Sequence, residues 1–301
     1  MAAKSVDLMT EKLIDIREVF NRIDPVEFSE VMEPALLDMM HSIVNDVMQV
    51  HLRDIWETLP EEVREEVVIK SIEESPAFLS NLMQDIRDHI EDVFDIKDMV
   101  VTQFTHRKEL LNKVFLECGK DEFIFIERSG FYFGFIFGLI QAILWCFYKG
   151  NWVLPTMGFI VGYATNAIAL KIIFEPIQPK YICGKRFQGL FLQRQYDVSH
   201  IFAEITAKDV LNSHSMWDAI LHGPKKDKFN ELLHKHTHDF IEDLCGGLKS
   251  FVVMYLGSSN FYQLKTDIAA LISLELPRII ETSFDYTEET FKIEDTMRTV
   301  L

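Results

Sequence analysis

Hydrophobic residues recur at three- and four-residue steps along most of the chain, which is the period of amphipathic helices. In the first third, such positions run through residues 36–47 and 79–93. Asp24 stands before Pro25, with Glu27 following, a capping carboxylate ahead of a proline at the first helical position. Ser75 and Pro76 offer a second start of this kind. The pattern predicts an all-α protein with amphipathic helical regions.

Two apolar runs interrupt this pattern near the middle of the chain. Residues 130–148 and 152–170 carry no charge, and only Lys149, Gly150 and Asn151 separate them. Each run has about the 20 residues that a helix needs to cross a bilayer. Alternating phenylalanines in residues 131–137 resemble a barrel strand, but no other stretch alternates in this way. We therefore expect a transmembrane helical hairpin, with a buried helix pair in a soluble core as the alternative.

Small and polar residues within these runs predict how the two helices associate. Small residues at four-residue spacing let two helix backbones approach closely in lipid, so we expect the glycines to pack the hairpin together. They are Gly130, Gly134, Gly138, Gly158 and Gly162. Polar side chains inside a membrane face other helices or a water path. Gln141, Thr165 and Asn166 are therefore expected to form interhelical hydrogen bonds or, in an oligomer, to line a path.

The net charge of −17 is concentrated before the apolar runs, where residues 1–105 contain 24 acidic and 9 basic residues. This acidity excludes a nucleic-acid-binding surface. Basic residues cluster on both sides of the hairpin, against Lys149 alone in its turn. Because positive loops stay in the cytoplasm, both termini are expected there, with the hairpin in the plasma membrane or a bacterial inner membrane.

Acidic residues fall into two clusters before the hairpin. One comprises Glu61, Glu62, Glu65, Glu66, Glu73 and Glu74, and the other Asp85, Asp88, Glu91, Asp92, Asp95 and Asp98. Solvated helix faces explain such clusters, whereas a surface for divalent cations or for a basic partner is the sharper alternative. No D-x-D-x-D-G loop accompanies them.

After the hairpin, cations bracket a short apolar patch. Lys171 is placed to reach lipid headgroups, and Lys185, Arg186 and Arg194 flank Phe191. The pattern is typical of a segment lying in the membrane interface, with a soluble turn as the alternative.

Three residues form a weak candidate metal site on a predicted helix. His234 and His238 share a face, and Glu242 lies one turn further on. Exposed histidines among lysines and aspartates are usually just solvated, which is the preferred interpretation, and no cofactor is predicted. Four widely spaced cysteines form neither a metal knuckle nor a disulfide framework. Because no phosphate loop or nucleophile motif is present, an enzyme is not expected.

A long stretch after the first apolar run resembles a known family. GFIVGYATNAIALKIIFEPIQPKYICGKRFQGLFLQRQYDVSHIFAE is similar to the signature of the domain of unknown function 445 family. The matching residues are Gly162, Tyr163, Thr165, Asn166, Ala169, Leu170, Lys171, Phe174, Pro176 and Pro179. The resemblance covers about residues 90–215 and implies an integral membrane protein whose bulk is helical and cytoplasmic. It implies no activity.

Members of that family usually close with another hydrophobic segment, whereas this chain stops at Leu301 inside an amphipathic stretch. The expectation is either a truncated chain or one that dispenses with the last anchor.

Together these patterns predict five regions. They are an N-terminal helix (1–23), an acidic cytoplasmic helical region (24–128), the transmembrane hairpin (129–175), an interfacial loop (176–196) and a C-terminal cytoplasmic helical region (197–301). The predicted function is a membrane-anchored scaffold or tether whose partners are the lipid bilayer and either an unidentified protein or a second copy. A subunit of an oligomeric transporter or channel is the alternative.

Overall fold

The computed structural model describes residues 14–150, 152–182 and 185–300, with the side chains of residues 182, 185 and 186 left out. It is 87% helical with almost no strands, so the all-α prediction is confirmed. Within the described residues the chain forms two compact units. One comprises residues 14–106 and 207–300, here the bundle unit, and the other comprises residues 107–206, here the apolar-helix unit.

The bundle unit contains four long helices and several short ones. Its first part comprises α1 (Ile16–Asn21), α2 (Pro25–His51), α3 (Arg53–Thr58), α4 (Glu61–Asp88), α5 (Ile90–Val93) and α6 (Ile96–His106). The apolar-helix unit follows with α7 (Lys108–Cys118), α8 (Lys120–Phe147), α9 (Val153–Phe174), β1 (Lys180–Ile182), β2 (Lys185–Phe187), α10 (Leu190–Gln193) and α11 (Gln195–Ile205). A π-helix (Thr206–Val210) then leads to α12 (Ser213–His222), α13 (Lys226–Cys245), a 3₁₀ turn (Gly246–Leu248), α14 (Lys249–Leu256), α15 (Ser258–Glu281), α16 (Phe284–Phe291) and α17 (Ile293–Val300).

The long helices α2, α4, α13 and α15 pack in a ring as a four-helix bundle, each against two neighbours. Polar contacts fix their direction. Lys70 on α4 donates to the carbonyl of Leu244 at the end of α13, whereas Asp85, which lies further along α4, bonds His236 near the middle of α13. These two helices therefore run antiparallel. Bonds from the end of one helix to the start of its neighbour give the other pairs the same arrangement, which lets each helix bury its apolar stripe against two others.

Aromatic side chains fill one end of the bundle. Trp217 on α12 stacks on Phe28 at 5.7 Å and meets Phe20 edge-on at 6.2 Å. Phe20 also lies 5.0 Å from Phe291. These rings come from α1, α2, α12 and α16, so both parts of the bundle unit contribute to one core.

Of the helix starts predicted at Asp24 and at Ser75, the structure confirms the first. The Asp24 carboxylate accepts hydrogen bonds from the backbone N–H groups of Val26 and Glu27, and α2 begins at Pro25. The second prediction is wrong, because Ser75 and Pro76 lie inside the continuous helix α4. Proline lacks the N–H that would bond the Ile72 carbonyl. The Ser75 hydroxyl donates to that carbonyl instead, at 2.8 Å, so the helix continues.

The structure groups the predicted flanking regions differently. Residues 24–128 and 197–301 were expected as separate helical regions, but α2 and α4 pack with α13 and α15 in one unit that ends its first part at His106. Amphipathic periodicity shows that a helix buries one face and does not identify the helix that covers it. Of the predicted N-terminal helix, residues 1–13 lie outside the described part of the chain, and α1 is the remainder.

Candidate functional site

The two apolar helices α8 and α9 pack against each other through large side chains. On α8 the half-buried positions fall at four-residue steps, at Phe133, Phe137, Gln141 and Trp145. On α9 they are Met157, Val161, Ala164, Thr165 and Ile168. A four-residue repeat keeps to one stripe of a helix. The contact between these helices is therefore made mainly by bulky apolar side chains on one stripe of each.

The predicted glycine contact is absent from this pair. A methyl group added at Gly130, Gly134, Gly138, Gly158 or Gly162 would meet no atom within 4 Å, beyond the helix's own backbone. On each helix the glycine stripe lies next to the packed stripe, since Gly134 follows the half-buried Phe133 and Gly158 follows the half-buried Met157. Glycine spacing identifies a face that permits close approach, but the bulky stripe buries more area and makes the contact. The glycine faces of both helices are consequently open.

The three polar residues of the apolar helices do not bond one another. Asn166 is exposed, on the same stripe as Gly158 and Gly162 at four-residue steps. The Thr165 hydroxyl oxygen is buried and has no hydrogen-bond partner, and Gln141 is half-buried on the packed face of α8. The predicted interhelical hydrogen bonds are therefore not formed within this pair of helices.

A partly buried ion pair joins the start of α8 to the start of α11. The Arg194 guanidinium lies 3.1 Å from each carboxylate oxygen of Glu122 and 3.2 Å from Asp121. The Glu122 side chain is only 8% exposed. From the sequence, Arg194 was predicted to face lipid headgroups. In the structure its guanidinium pairs with these two carboxylates. Glu122 was missed, because one acidic residue at a helix start carries no signal of a partner 72 positions away.

The loop between α9 and α11 folds back closely on the end of α9. A Cβ at Gly189 would lie 2.6 Å from the Ile173 carbonyl oxygen, so only glycine fits there. The Gly189 N–H donates to the Pro176 carbonyl at 3.1 Å, and the ring of Phe191 lies 5.9 Å from that of Phe174. Phe191 is thus half-buried, while Lys171 is exposed; the side chains of Lys185 and Arg186 lie outside the described residues. This loop is therefore packed against the end of α9 and is not a free turn. We call the packed loop the base.

A double-mutant cycle on Glu122 and Arg194 tests whether this ion pair stabilises the base. We expect Glu122→Gln and Arg194→Gln each to lower the free energy of unfolding in detergent, since each leaves a desolvated partner. The double variant should lose less than the sum of the two, with a coupling of about 0.5–3 kcal/mol. The measurement is unfolding followed by circular dichroism. Glu127→Gln is the control, because this carboxylate is exposed on the same helix and is not paired with Arg194; a coupling of zero between Glu122 and Arg194 would contradict the expectation.

The three candidate metal ligands lie near one another, but the Glu242 carboxylate is bonded to two lysines. The rings of His234 and His238 lie 6.1 Å apart, while the Glu242 carboxylate accepts a hydrogen bond from Lys265 at 2.9 Å and another from Lys249. Burial, with Lys265 and His234 nearby, lowers the pKa of His238. No group of three metal-ligating side chains is arranged around a common point in the part of the chain that the structure describes. Two ammonium groups at the carboxylate disfavour a cation there.

The same lysines make the stability contribution of Glu242 depend on pH. Hydrogen bonds from Lys249 and Lys265 lower the pKa of Glu242 to about 2, from 4.5 in the unfolded chain. A lowered pKa stabilises the fold above the unfolded value and loses that effect as the pH falls toward the folded one. We therefore expect Glu242→Gln to lower the melting temperature at neutral pH, and the difference from the parent protein to shrink between about pH 4.5 and pH 2. Glu281→Gln, an exposed carboxyl, is the control; a difference that stays constant with pH would refute this assignment.

The two acidic clusters differ in their partners. Asp85 bonds Lys235 and His236, with its pKa lowered chiefly by the Lys235 hydrogen bond, and Glu91 pairs with Arg17. All six glutamates of the first cluster are exposed on α4 and form no ion pair within the described residues. The second cluster thus stabilises the bundle in part, and the first is an unneutralised surface.

No protein-family model, curated protein or solved structure matches the chain. The resemblance to the domain of unknown function 445 family therefore stays a prediction, and function rests on the geometry above.

Proposed function

We propose that the protein is an integral membrane protein whose helices α8 and α9 cross the bilayer as a hairpin and whose bundle unit is a scaffold or tether. The exposure of these helices carries the proposal. In the most apolar stretch of each, none of the residues of α8 and 11% of those of α9 are buried. A helix pair in a soluble core would be covered, and a soluble surface rarely carries an apolar area of this size. A lipid bilayer is the environment that suits the exposed apolar surfaces of both helices.

Charge around the two helices supports their orientation. Residues 107–129, before the apolar run of α8, contain five basic residues, and residues 171–194, after the apolar run of α9, contain five more, whereas Lys149 alone lies between the two runs. Positive flanks remain on the cytoplasmic side. The bundle unit, which both flanks enter, then works in the cytoplasm.

The unneutralised glutamates of α4 support a protein partner with a basic surface. Six exposed carboxylates on one helix create a negative potential that attracts positive partners. Because some carboxylates of the second acidic cluster are paired within the bundle unit, the first cluster, on α4, is the better surface for a basic partner. A tether of this kind joins a basic protein to the membrane.

Crosslinking with mass spectrometry in native membranes tests the partner. We expect a stable partner recovered through residues 25–105 of the parent protein, and its loss when Glu61, Glu62, Glu65 and Glu66 are changed together to Gln. The matched control removes four exposed acids of α2, by Glu30→Gln, Glu33→Gln, Asp38→Asn and Asp46→Asn. If both variants lost the partner equally, the effect would depend only on net charge and not on the α4 glutamates. Repeated recovery of no partner by the parent protein would refute the proposal.

Asn166 favours a second candidate, an oligomeric transporter or channel. Its exposed amide has no partner in the described residues, and an unpaired amide in lipid is costly. Open glycine faces beside it would admit another helix. We expect Asn166→Leu to dissociate such an oligomer and to abolish flux in proteoliposomes. Measuring the mass of the parent protein in nanodiscs distinguishes the two candidate functions. A monomer would exclude the channel, since a single hairpin cannot enclose a pore.

A further inference from the structure

Helix α14 carries the main exposed aromatic surface of the bundle unit. Among the described residues of this unit, the exposed aromatic side chains are Phe251 and Tyr255 of α14 and Tyr262 of α15. Leu248, Phe251, Met254 and Tyr255 fall at three- and four-residue steps on one face and are 61–77% exposed. We call these four residues the apolar face. The opposite face of α14 packs against α15 and α13.

The apolar face lies at the same end of the bundle as the start of α4. Lys70 on α4 donates a hydrogen bond to the carbonyl of Leu244, near the end of α13, and the 3₁₀ turn that follows leads directly into α14. Residues three and four apart on a helix are neighbours, with Cβ atoms about 5–6 Å apart. Glu66, Glu73 and Glu74 therefore neighbour Lys70, close to where α14 begins.

Carboxylates outnumber cations at this end of the bundle. Residues 52–74 contain eight acidic and three basic residues. The cations nearest to α14 are already bonded, Lys70 to a backbone carbonyl and both Lys249 and Lys265 to the single carboxylate of Glu242. The two lysines leave one positive charge, whereas the six exposed glutamates of α4 form no ion pair within the described residues. The apolar face is thus bordered by unpaired negative charge.

An apolar face with a carboxylate border favours an occupant that offers apolar and basic side chains together. Contact with apolar side chains removes the face from water, and the carboxylates attract cations. An amphipathic helix with lysine or arginine beside its apolar stripe presents both groups at fixed spacing. The eight residues of α14 span about 12 Å, and a partner helix of about 15 residues spans about 22 Å, enough to contact both surfaces.

We propose that the apolar face of α14 binds the apolar stripe of a basic amphipathic helix in the partner protein, whose cations pair with the glutamates of α4. This inference rests on the proposed basic partner and specifies the chemistry of its binding segment. A second copy of the chain and anionic lipid are the competing occupants. A second copy would bring the same carboxylates to the contact, and anionic lipid would bring phosphates, so both would be repelled.

Peptide binding to the full-length protein tests the proposal. The protein is reconstituted into phosphatidylcholine nanodiscs, and the probe is a fluorescent peptide of about 15 leucines and lysines with the leucines on one side of a helix. We expect anisotropy, with empty nanodiscs as the blank, to show saturable binding that weakens as salt is raised. The same residues in scrambled order, and a matching peptide of leucine and glutamate, should bind at least about tenfold more weakly.

A triple variant removes the apolar side chains, by Phe251→Ser, Met254→Ser and Tyr255→Ser. It should bind the amphipathic peptide at least about tenfold more weakly than the parent protein, since three side chains lose their apolar contact. The matched control changes three exposed apolar residues elsewhere in the bundle unit, by Val26→Ser, Leu37→Ser and Leu274→Ser. We expect this control to bind like the parent protein, with circular dichroism melts confirming that both variants fold.

A second triple variant removes the charges nearest to α14, by Glu66→Gln, Glu73→Gln and Glu74→Gln. It should bind more weakly at low salt and depend less on salt than the parent protein. The matched control removes three exposed acids of α2, by Glu30→Gln, Glu33→Gln and Asp38→Asn, and should keep the salt dependence.

Several results would overturn the proposal. They are no binding by the parent protein, equal binding of the amphipathic and scrambled peptides, unchanged binding by either triple variant, and equal loss in either control. Association of nanodiscs with one another that the apolar-face variant abolishes would assign the face to a second copy. Flotation with phosphatidylserine vesicles that the same variant abolishes would assign it to lipid, and each of these results would also overturn the proposal.

Crosslinking in native membranes separates failure of this inference from failure of the proposed partner. If the apolar-face variant retains a partner that the α4 glutamine variant loses, the proposed function stands and the inference is refuted. If the parent protein recovers no partner, the proposed function is refuted, and peptide binding still measures what the apolar face recognises.

Discussion

Replacing Ile140 and Ile160 together by arginine is expected to release the protein from membranes. Both side chains are about half exposed near the middle of the apolar runs of α8 and α9. An arginine at the centre of a spanning helix costs about 2.5–3.5 kcal/mol on insertion scales, so two should cost about 5–7 kcal/mol. The parent protein should remain in the pellet after alkaline extraction, and the variant should appear in the supernatant or be degraded.

Leu274→Arg is the control for that experiment, because Leu274 is 74% exposed on a bundle helix and arginine there faces water. It should leave extraction unchanged. If α8 and α9 were ordinary water-exposed helices, both variants would behave alike and the parent protein would dissolve without detergent. That result would end the membrane proposal.

Trp217→Ala is expected to destabilise the whole bundle unit. The side chain is 2% exposed and packs on Phe28 and Phe20. Truncating a buried tryptophan costs about 3–5 kcal/mol, a large part of the 5–15 kcal/mol that stabilises a typical protein. Circular dichroism melts in detergent measure the loss. Because both partner rings lie in the first part of the unit, residues 14–106 should become protease-sensitive together with residues 207–300.

Leu274→Ala serves as the matched truncation at an exposed site and should change stability by no more than about 0.5 kcal/mol. Trp217→Phe should fall between the two, since it keeps an aromatic ring in the cavity. Protease sensitivity confined to residues 207–300 in the alanine variant would show that the two parts fold independently.

Composition and local pattern predicted the all-α class and some of its helices, but not the two short strands or the separate helices that follow α9. The charge-free runs predicted α8 and α9, and Asp24 with Pro25 predicted the start of α2, because both signals involve residues close together in the chain. The same local rule misplaced a start at Ser75, where a hydroxyl bonds the carbonyl that Pro76 leaves free. That side-chain choice is not visible in a one-dimensional pattern.

Long-range contacts were beyond the sequence. Gly134 and Gly158 satisfied the spacing of a packing motif, but the helices meet one position round, through Phe133 and Met157. Which of two adjacent stripes is used depends on the area that each buries. Likewise, Arg194 had the charge of a lipid contact, and only the fold shows Glu122 beside it.

The four-helix bundle also constrains how the protein is made. Asp85 and His236, which join α4 to α13, are 151 residues apart in the chain, and a ribosome adding about 5–20 residues per second needs roughly 8–30 s to supply the second after the first. During that interval α2 and α4 have exposed apolar stripes while α8 and α9 are being synthesised. The first helices must wait for the last, so nascent chains are open to chaperones and to aggregation until α13 and α15 emerge.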